Sequence, residues 1–102
     1  MRGREQETEL LTHRRDGDVL VIELLRELDV TTRAAAALRI EALVAAHRPG
    51  RVRVVLPSER PAPATLSAVG RTGRMCRSLG VPLTAHAPAP AAGPLPLPGT
   101  AE

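Results

Sequence analysis

The chain contains no phenylalanine, tyrosine or tryptophan, and neither lysine nor asparagine. Without aromatic rings it lacks the walls that large ligand cavities recruit and the platforms on which single-stranded nucleic acid stacks. Its core has to be built from valine, leucine, isoleucine, alanine and two methionines, which suits two thin layers of strand and helix. The lone cysteine, Cys76, excludes a disulfide framework, and no Cys/His set has metal-ligand spacing. His13, His47 and His86 lie far apart in sequence with no carboxylate or cysteine at motif distance, and each reads as an ordinary surface histidine. The first ten residues are charged and hold no apolar h-region, so no signal peptide is expected. No apolar run approaches the ~20 residues needed to span a bilayer. The expected setting is the cytoplasm, with no membrane partner, no metal and no cofactor.

What is present is one domain's worth of chain, 102 residues. A domain of this size buries roughly two-thirds of the surface its unfolded chain exposes. All 14 basic residues are arginine. Lysine, asparagine, phenylalanine and tyrosine have AT-rich codons, whereas alanine, arginine, glycine and proline have GC-rich ones, so the composition is that of a bacterium with a high-GC genome. The net charge of +3 is spread along the chain and partly matched by 11 acids. A solvated basic surface is therefore preferred to a nucleic-acid footprint.

Residues 1–9 are charged and apolar-poor and read as a flexible leader. Leu10 to Arg14 predicts a first strand, Asp16-Gly17-Asp18 a turn, and Val19 to Leu25 a second strand, apolar enough to be covered on both faces. Thr31 or Thr32 is placed to N-cap a helix over Arg33–His47. Its stripe is Ala36, Ile40, Leu43, Val44 and His47, and Pro49-Gly50 stops it. Arg51 to Leu56 is the next strand, completing a right-handed βαβ unit. The proline-rich stretch from Pro57 to Pro63 is a stiff loop. A second helix is predicted over Thr65–Leu79, with Leu66, Val69, Cys76 and Leu79 inward and Arg71, Arg74 and Arg77 on another face. Gly70 and Gly73 weaken it by ~1 kcal/mol each relative to alanine, and Gly80 is a C-cap. Val81 to Ala85 is a last strand, at an edge because of Pro82. Residues 87–102 are Ala/Pro/Gly without periodicity and read as a disordered tail. Its Pro94-Leu95-Pro96-Leu97-Pro98 has the composition that proline-binding modules take, although a plain flexible tail is preferred. The domain proper is 10–86. The fold class is α/β: a mixed sheet of about four strands with an N-terminal antiparallel hairpin, a βαβ crossover and two main helices.

No catalytic constellation is visible. The carboxylates Asp16, Asp18, Glu23, Glu27, Asp29 and Glu41 have no paired histidine, and Gly70-x-x-Gly73 lies inside a helix without the lysine of a phosphate loop. Cys76 in an apolar stripe reads as a packing residue, though three nearby arginines would lower a thiol's pKa. The chain is not expected to be an enzyme.

The segment Leu25-Arg26-Glu27-Leu28-Asp29, followed by Thr31-Thr32 and an Ala/Leu helix, resembles the L-x-G-E-L-D strand end of STAS domains, the anti-sigma factor antagonists and their relatives. Glu27, Leu28 and Asp29 match, while Arg26 replaces the glycine. Arg51 to Leu56 stands where the family has V-V-V-D-L, with Val55 in place of the acid. Arg77-Ser78-Leu79-Gly80 and Val81-Pro82-Leu83 look like the family's second helix end and next strand. The resemblance runs from about Leu10 to Ala85, and the order of elements carries most of it.

The resemblance implies a non-catalytic partner-switching regulator of transcription. Its partner would be an anti-sigma factor or histidine-kinase-like ATPase that phosphorylates the first serine of a D-S-[ST]-G-L loop. Phosphate there places a charge of about −1.5 to −2 at a helix N-terminus. Here the stretch is Ala62-Pro63-Ala64-Thr65-Leu66, and Ala64 has no hydroxyl. Thr65 and Ser67 are the fallback acceptors, with Thr65 preferred as a helix N-cap. The implied partner surface is Ser58, Ala62, Pro63, Ala64, Thr65, Leu66 and Val69 with Thr31, Thr32 and Arg33. Family members continue into further helix where this chain turns to proline and alanine. An apolar sheet face left uncovered there would be an association site for a partner or a second copy of the chain. The alternative function is a basic binding module for nucleotides or nucleic acid using Arg71, Arg74 and Arg77.

Overall fold

The computed structural model describes residues 9–88. The chain runs β1 (Leu11–Asp16), β2 (Val19–Leu24), α1 (Arg33–His47), β3 (Arg51–Val55), α2 (Pro63–Ser78) and β4 (Leu83–His86). The four strands form one sheet in the order β1-β2-β3-β4, with β1 antiparallel to β2 and the other pairs parallel. This is the α/β architecture that the sequence implies. The leader, except Glu9, and the tail beyond Pro88, including the Pro94–Pro98 segment, lie outside the described residues.

The hairpin ladder is longer than Leu10–Arg14. It runs to Asp16, which pairs with Val19, because Gly17 takes a left-handed φ of 64° and closes a two-residue turn with Asp18. Arg15 steadies the turn by donating to the Gly17 carbonyl, and reaches the His47 carbonyl with another nitrogen. Along β1 only Leu11 is buried; a charged edge of this kind resists pairing with a stray strand.

Leu20, Ile22 and Leu24 of β2 are buried on the same face as Val52 and Val54 of β3, under Ile40 and Val44 of α1 and Ala68 and Cys76 of α2. Burying a side chain such as Ile40 stabilises the fold by about 1.5–3 kcal/mol. Right-handed crossovers between sequentially ordered parallel strands put both helices on that one face. The expectation that β2 is covered on both faces holds only at Val21. It is buried on the other face, flanked in register by Arg14 and Arg53, whose aliphatic stems suit such a position; Glu23 beyond it is exposed. The uncovered face is therefore charged rather than apolar. Arg14, Asp16, Glu23, Arg51 and Arg53 stand on it, and it offers no broad apolar docking surface.

α1 has the predicted bounds but not the predicted cap. Thr32 precedes the helix, yet its hydroxyl bonds no helix N–H. The cap is made one turn earlier by Asp29, as described below. Ala36, Ala37, Ile40 and Val44 are buried, while Leu43 and His47 are half-buried. A Cβ at Gly50 would meet the carboxylate of the exposed Asp18, which would have to swing aside, and the Gly50 N–H donates to the Asp18 carbonyl.

α2 starts two residues earlier than predicted, with Pro63 at its first position, where a missing N–H costs nothing. Thr65 is consequently inside the helix, not its N-cap. The inward face is also different: Thr65, Ala68, Val69, Thr72 and Cys76 are buried, whereas Leu66 is 51% and Leu79 58% exposed. The Thr72 hydroxyl meets the Val69 carbonyl one turn back, so it can enter the core without an unmet donor. The helix ends in a Schellman turn, Gly80 N–H on the Arg77 carbonyl and Val81 N–H on the Cys76 carbonyl, with Gly80 at φ 75°. β4 begins after Pro82 rather than at Val81, although the Pro82 carbonyl still accepts the Val52 N–H.

Candidate functional site

β2 and β3 deliver their C-terminal ends to the same edge of the molecule, where residues 25–32 lead into α1 and residues 56–62 lead into α2. At this end the loops that follow the parallel strands meet. Glu27 sits between the two loops. Its Oε2 accepts the Ser58 hydroxyl at 2.5 Å, and its Oε1 accepts the Ala62 N–H at 2.8 Å and the Thr65 hydroxyl at 2.7 Å. Thr65 Oγ1 accepts in turn from the Leu28 N–H at 2.8 Å. The bond to Ala62 serves the N-terminus of α2, whose flanking residue has no capping side chain of its own. A carboxylate from the neighbouring loop supplies the acceptor that helix N-termini require.

Asp29 performs the same task for α1. Its Oδ1 accepts the Thr31 and Thr32 N–H groups and both hydroxyls, while the Thr32 hydroxyl accepts the Asp29 N–H at 2.9 Å. This reciprocal arrangement is a capping box with Asp29 in the capping role and Thr32 three residues on. Glu27 and Asp29, the two acids of the Glu-Leu-Asp segment, thus each hold one helix entrance.

Both carboxyls are pulled below their ordinary range. The Ser58 hydrogen bond is the largest cause at Glu27, followed by Ala62 and Thr65. The Thr31 hydroxyl is the largest at Asp29, followed by Thr32. Hydrogen bonds donated to a carboxylate favour its charged form. Three donated hydrogen bonds, from the Ser58 hydroxyl, the Ala62 N–H and the Thr65 hydroxyl, hold Glu27 in its charged form. The arrangement positions backbone at both helix entrances.

The sequence-derived contact residues divide into two groups here. Thr31, Arg33, Pro63, Leu66 and Ser67 are exposed, and Thr32, Ser58, Ala62 and Ala64 are half-buried. Thr65 and Val69 belong to the interior, which corrects their assignment to a partner surface. Thr65 is equally unavailable as a phosphoacceptor in the folded domain, because its hydroxyl is enclosed and bonded on both sides; Ser67 is exposed. Sequence reasoning missed the exposed apolar side chains Leu25 and Val30, which stand at the same end of the molecule as Leu66. It also missed that Glu27 bonds Ser58 and Thr65, for which no local signal exists.

The other candidates separate. Arg71 is drawn onto Glu41 of α1 at 3.0 Å, and Arg77 lines a different groove, with Gly73, Val81 and Leu83, so the three arginines of α2 share no one cavity. Cys76 is fully buried. Burial pushes its thiol up and Glu41 adds to the shift, so the lowering expected from nearby arginines does not occur. His13 and His47, distant in sequence, meet with ring centroids 5.4 Å apart. Among the described residues no group of three or more His, Cys, Asp or Glu could hold a metal, and no helix is long and apolar enough to cross a membrane. Comparison with known protein families finds no match for the chain, and no curated protein matches it.

Proposed function

We propose that this is a non-catalytic protein–protein regulatory domain of the STAS kind, an anti-sigma factor antagonist-like module acting in a bacterial cytoplasm. The observation that carries the reading is the Glu27 network. It fastens the loop before α2 to the exit of β2 through Ser58, Ala62 and Thr65. The end of the domain is thereby held as one surface, on which Leu25, Val30 and Leu66 are 46%, 74% and 51% exposed. Exposed apolar side chains beside fixed loops, with no proton-transfer chemistry among them, suit binding of a protein partner. The order of elements and the placement of Glu27-Leu28-Asp29 at the end of β2 support the STAS assignment. Its partner would be an anti-sigma factor or a histidine-kinase-like ATPase. With alanine at position 64, such a partner would bind without switching the domain off there.

The test is retention of such an ATPase or anti-sigma factor from a bacterial lysate on the immobilised chain, compared with a Leu66→Asp variant. The expected result is retention by the wild type and loss with the variant. Recovery of RNA or DNA instead, with a steep loss as salt rises, would favour the basic binding module. Incubation with the retained kinase and ATP is expected to leave residues 62–67 unphosphorylated.

A further inference from the structure

On the solvent side of the two helices, a groove runs between the first turns of α1 and the middle of α2. Its floor is small: Ala37 and Ala68 are buried there beside Ala34. Its rims carry Arg33 from α1 and Ser67, Arg71 and Arg74 from α2. Positions 67, 71 and 74 follow the i, i+4, i+7 spacing that aligns side chains on one helical face. Arg71 is engaged by Glu41. The Arg33 and Arg74 side chains have no hydrogen-bond or ion-pair partner among the described residues. Three guanidinium groups against the single Glu41 carboxylate leave this groove at +2. Asp29, at the same end of α1, has its Oδ1 occupied by Thr31 and Thr32 and does not line it.

We infer that this groove binds an acidic polypeptide segment, with Arg33 and Arg74 receiving its carboxylates and the alanine floor receiving its backbone. The inference rests on the interaction face proposed above, which borders the groove at Arg33, and it names the chemistry of the partner. Guanidinium forks match carboxylates in pairs. The groove, about 220 Å³ and open, is smaller than the roughly 300–1,000 Å³ of small-molecule pockets. No buried donor points into it, so it does not enclose a compact anion. Single-stranded nucleic acid would ask for a continuous basic track and stacking platforms. The chain has no aromatic residue, and the arginines of the open sheet face are interspersed with Asp16 and Glu23.

The probe is a fluorescein-labelled decaglutamate peptide titrated onto the full chain at low salt. The double variant Arg33→Gln/Arg74→Gln is compared with a charge-matched control on the open sheet face, Arg14→Gln/Arg53→Gln. Circular dichroism confirms that both variants fold. Binding is expected to fall about tenfold or more in the groove variant and less than about twofold in the control. Amide shifts on peptide addition should concentrate at Ala34, Ala37, Ser67 and Ala68. Equal loss in the two variants would overturn the inference, as would shifts on the open face. Displacement of the peptide by inorganic phosphate or single-stranded DNA at matched charge would also overturn it, because either would make this a phosphate site. No ATPase enters this assay. Retention of the ATPase without peptide binding therefore removes only the groove, and peptide binding without that partner removes only the STAS reading.

Discussion

Thr65, in the first turn of α2, donates its hydroxyl to Glu27 Oε1 at 2.7 Å across a sequence separation of 38 residues. Thr65 Oγ1 itself accepts the N–H of Leu28, the residue next to Glu27. One buried hydroxyl thus joins the helix to the strand exit twice, once as donor and once as acceptor. Backbone, carboxylate and hydroxyl are all satisfied at this joint; among the described residues no buried side-chain polar atom lacks a partner.

Replacing Thr65 with valine keeps the shape and removes both bonds. The Leu28 N–H would then be buried without an acceptor, which costs about 1–3 kcal/mol. Thr65→Ser keeps the hydroxyl and gives up one methyl group, worth about 1 kcal/mol. Urea unfolding midpoints should rank wild type, serine, valine in falling order. A valine variant as stable as the wild type would show that the joint contributes nothing.

Glu27 and Asp29 give the fold a defined acid sensitivity. Both carboxyls are lowered in the folded domain, Glu27 chiefly by Ser58 and Asp29 chiefly by Thr31. A depressed carboxyl adds stability that is complete above its ordinary value and is lost as pH falls through the folded value. Stability should therefore decline between about pH 5 and pH 3, within the carboxylate range. Glu27→Gln should be less stable at neutral pH, because a single amide oxygen faces three donors. It should also show a shallower decline, measured as unfolding midpoints across that window. An unchanged slope in Glu27→Gln would mean that this carboxyl is not coupled to folding.

Much of this architecture is legible in the chain itself. Asp16-Gly17-Asp18 marks the hairpin, and Pro49-Gly50 ends α1 where the apolar spacing stops. The inward face of α2 is not legible in the same way. Hydrophobicity points to Leu66 and Leu79, yet Thr65, Ala68 and Thr72 are what the sheet receives. The sheet and α1 approach closely enough that small side chains fit, and two threonines enter because each finds an acceptor or donor. For Thr65 that partner is 38 residues away, beyond the reach of any periodicity. The candidate site suffers the same limit: Ser58 reads as a loop residue and Thr65 as a helix start, but what joins them is Glu27, on a different loop.

That difference in α2 has a direct consequence. Leu66→Gln, at a half-exposed position, should shift stability by no more than about 0.5 kcal/mol. Ala68→Leu, a gain of hydrophobicity at a buried position, should destabilise by about 1–3 kcal/mol through overpacking. Hydrophobicity alone predicts the opposite order. Thermal melts of the two variants decide between the readings.

Cys76 provides a probe of the whole core. It is fully buried, and burial first and Glu41 second raise its thiol above the ordinary range. Only the thiolate attacks a disulfide reagent, so the native thiol should resist modification at pH 8. Labelling should proceed only as fast as the domain opens, and its rate should rise with urea. Cys76→Ser places a hydroxyl where the thiol packs and should cost about 1–3 kcal/mol. If that hydroxyl reaches a helix carbonyl one turn back, as Ser78 does with Met75 at 2.7 Å, the loss falls at the low end of this range. Fast, urea-independent labelling of the wild type would show that α2 does not stay seated on the sheet.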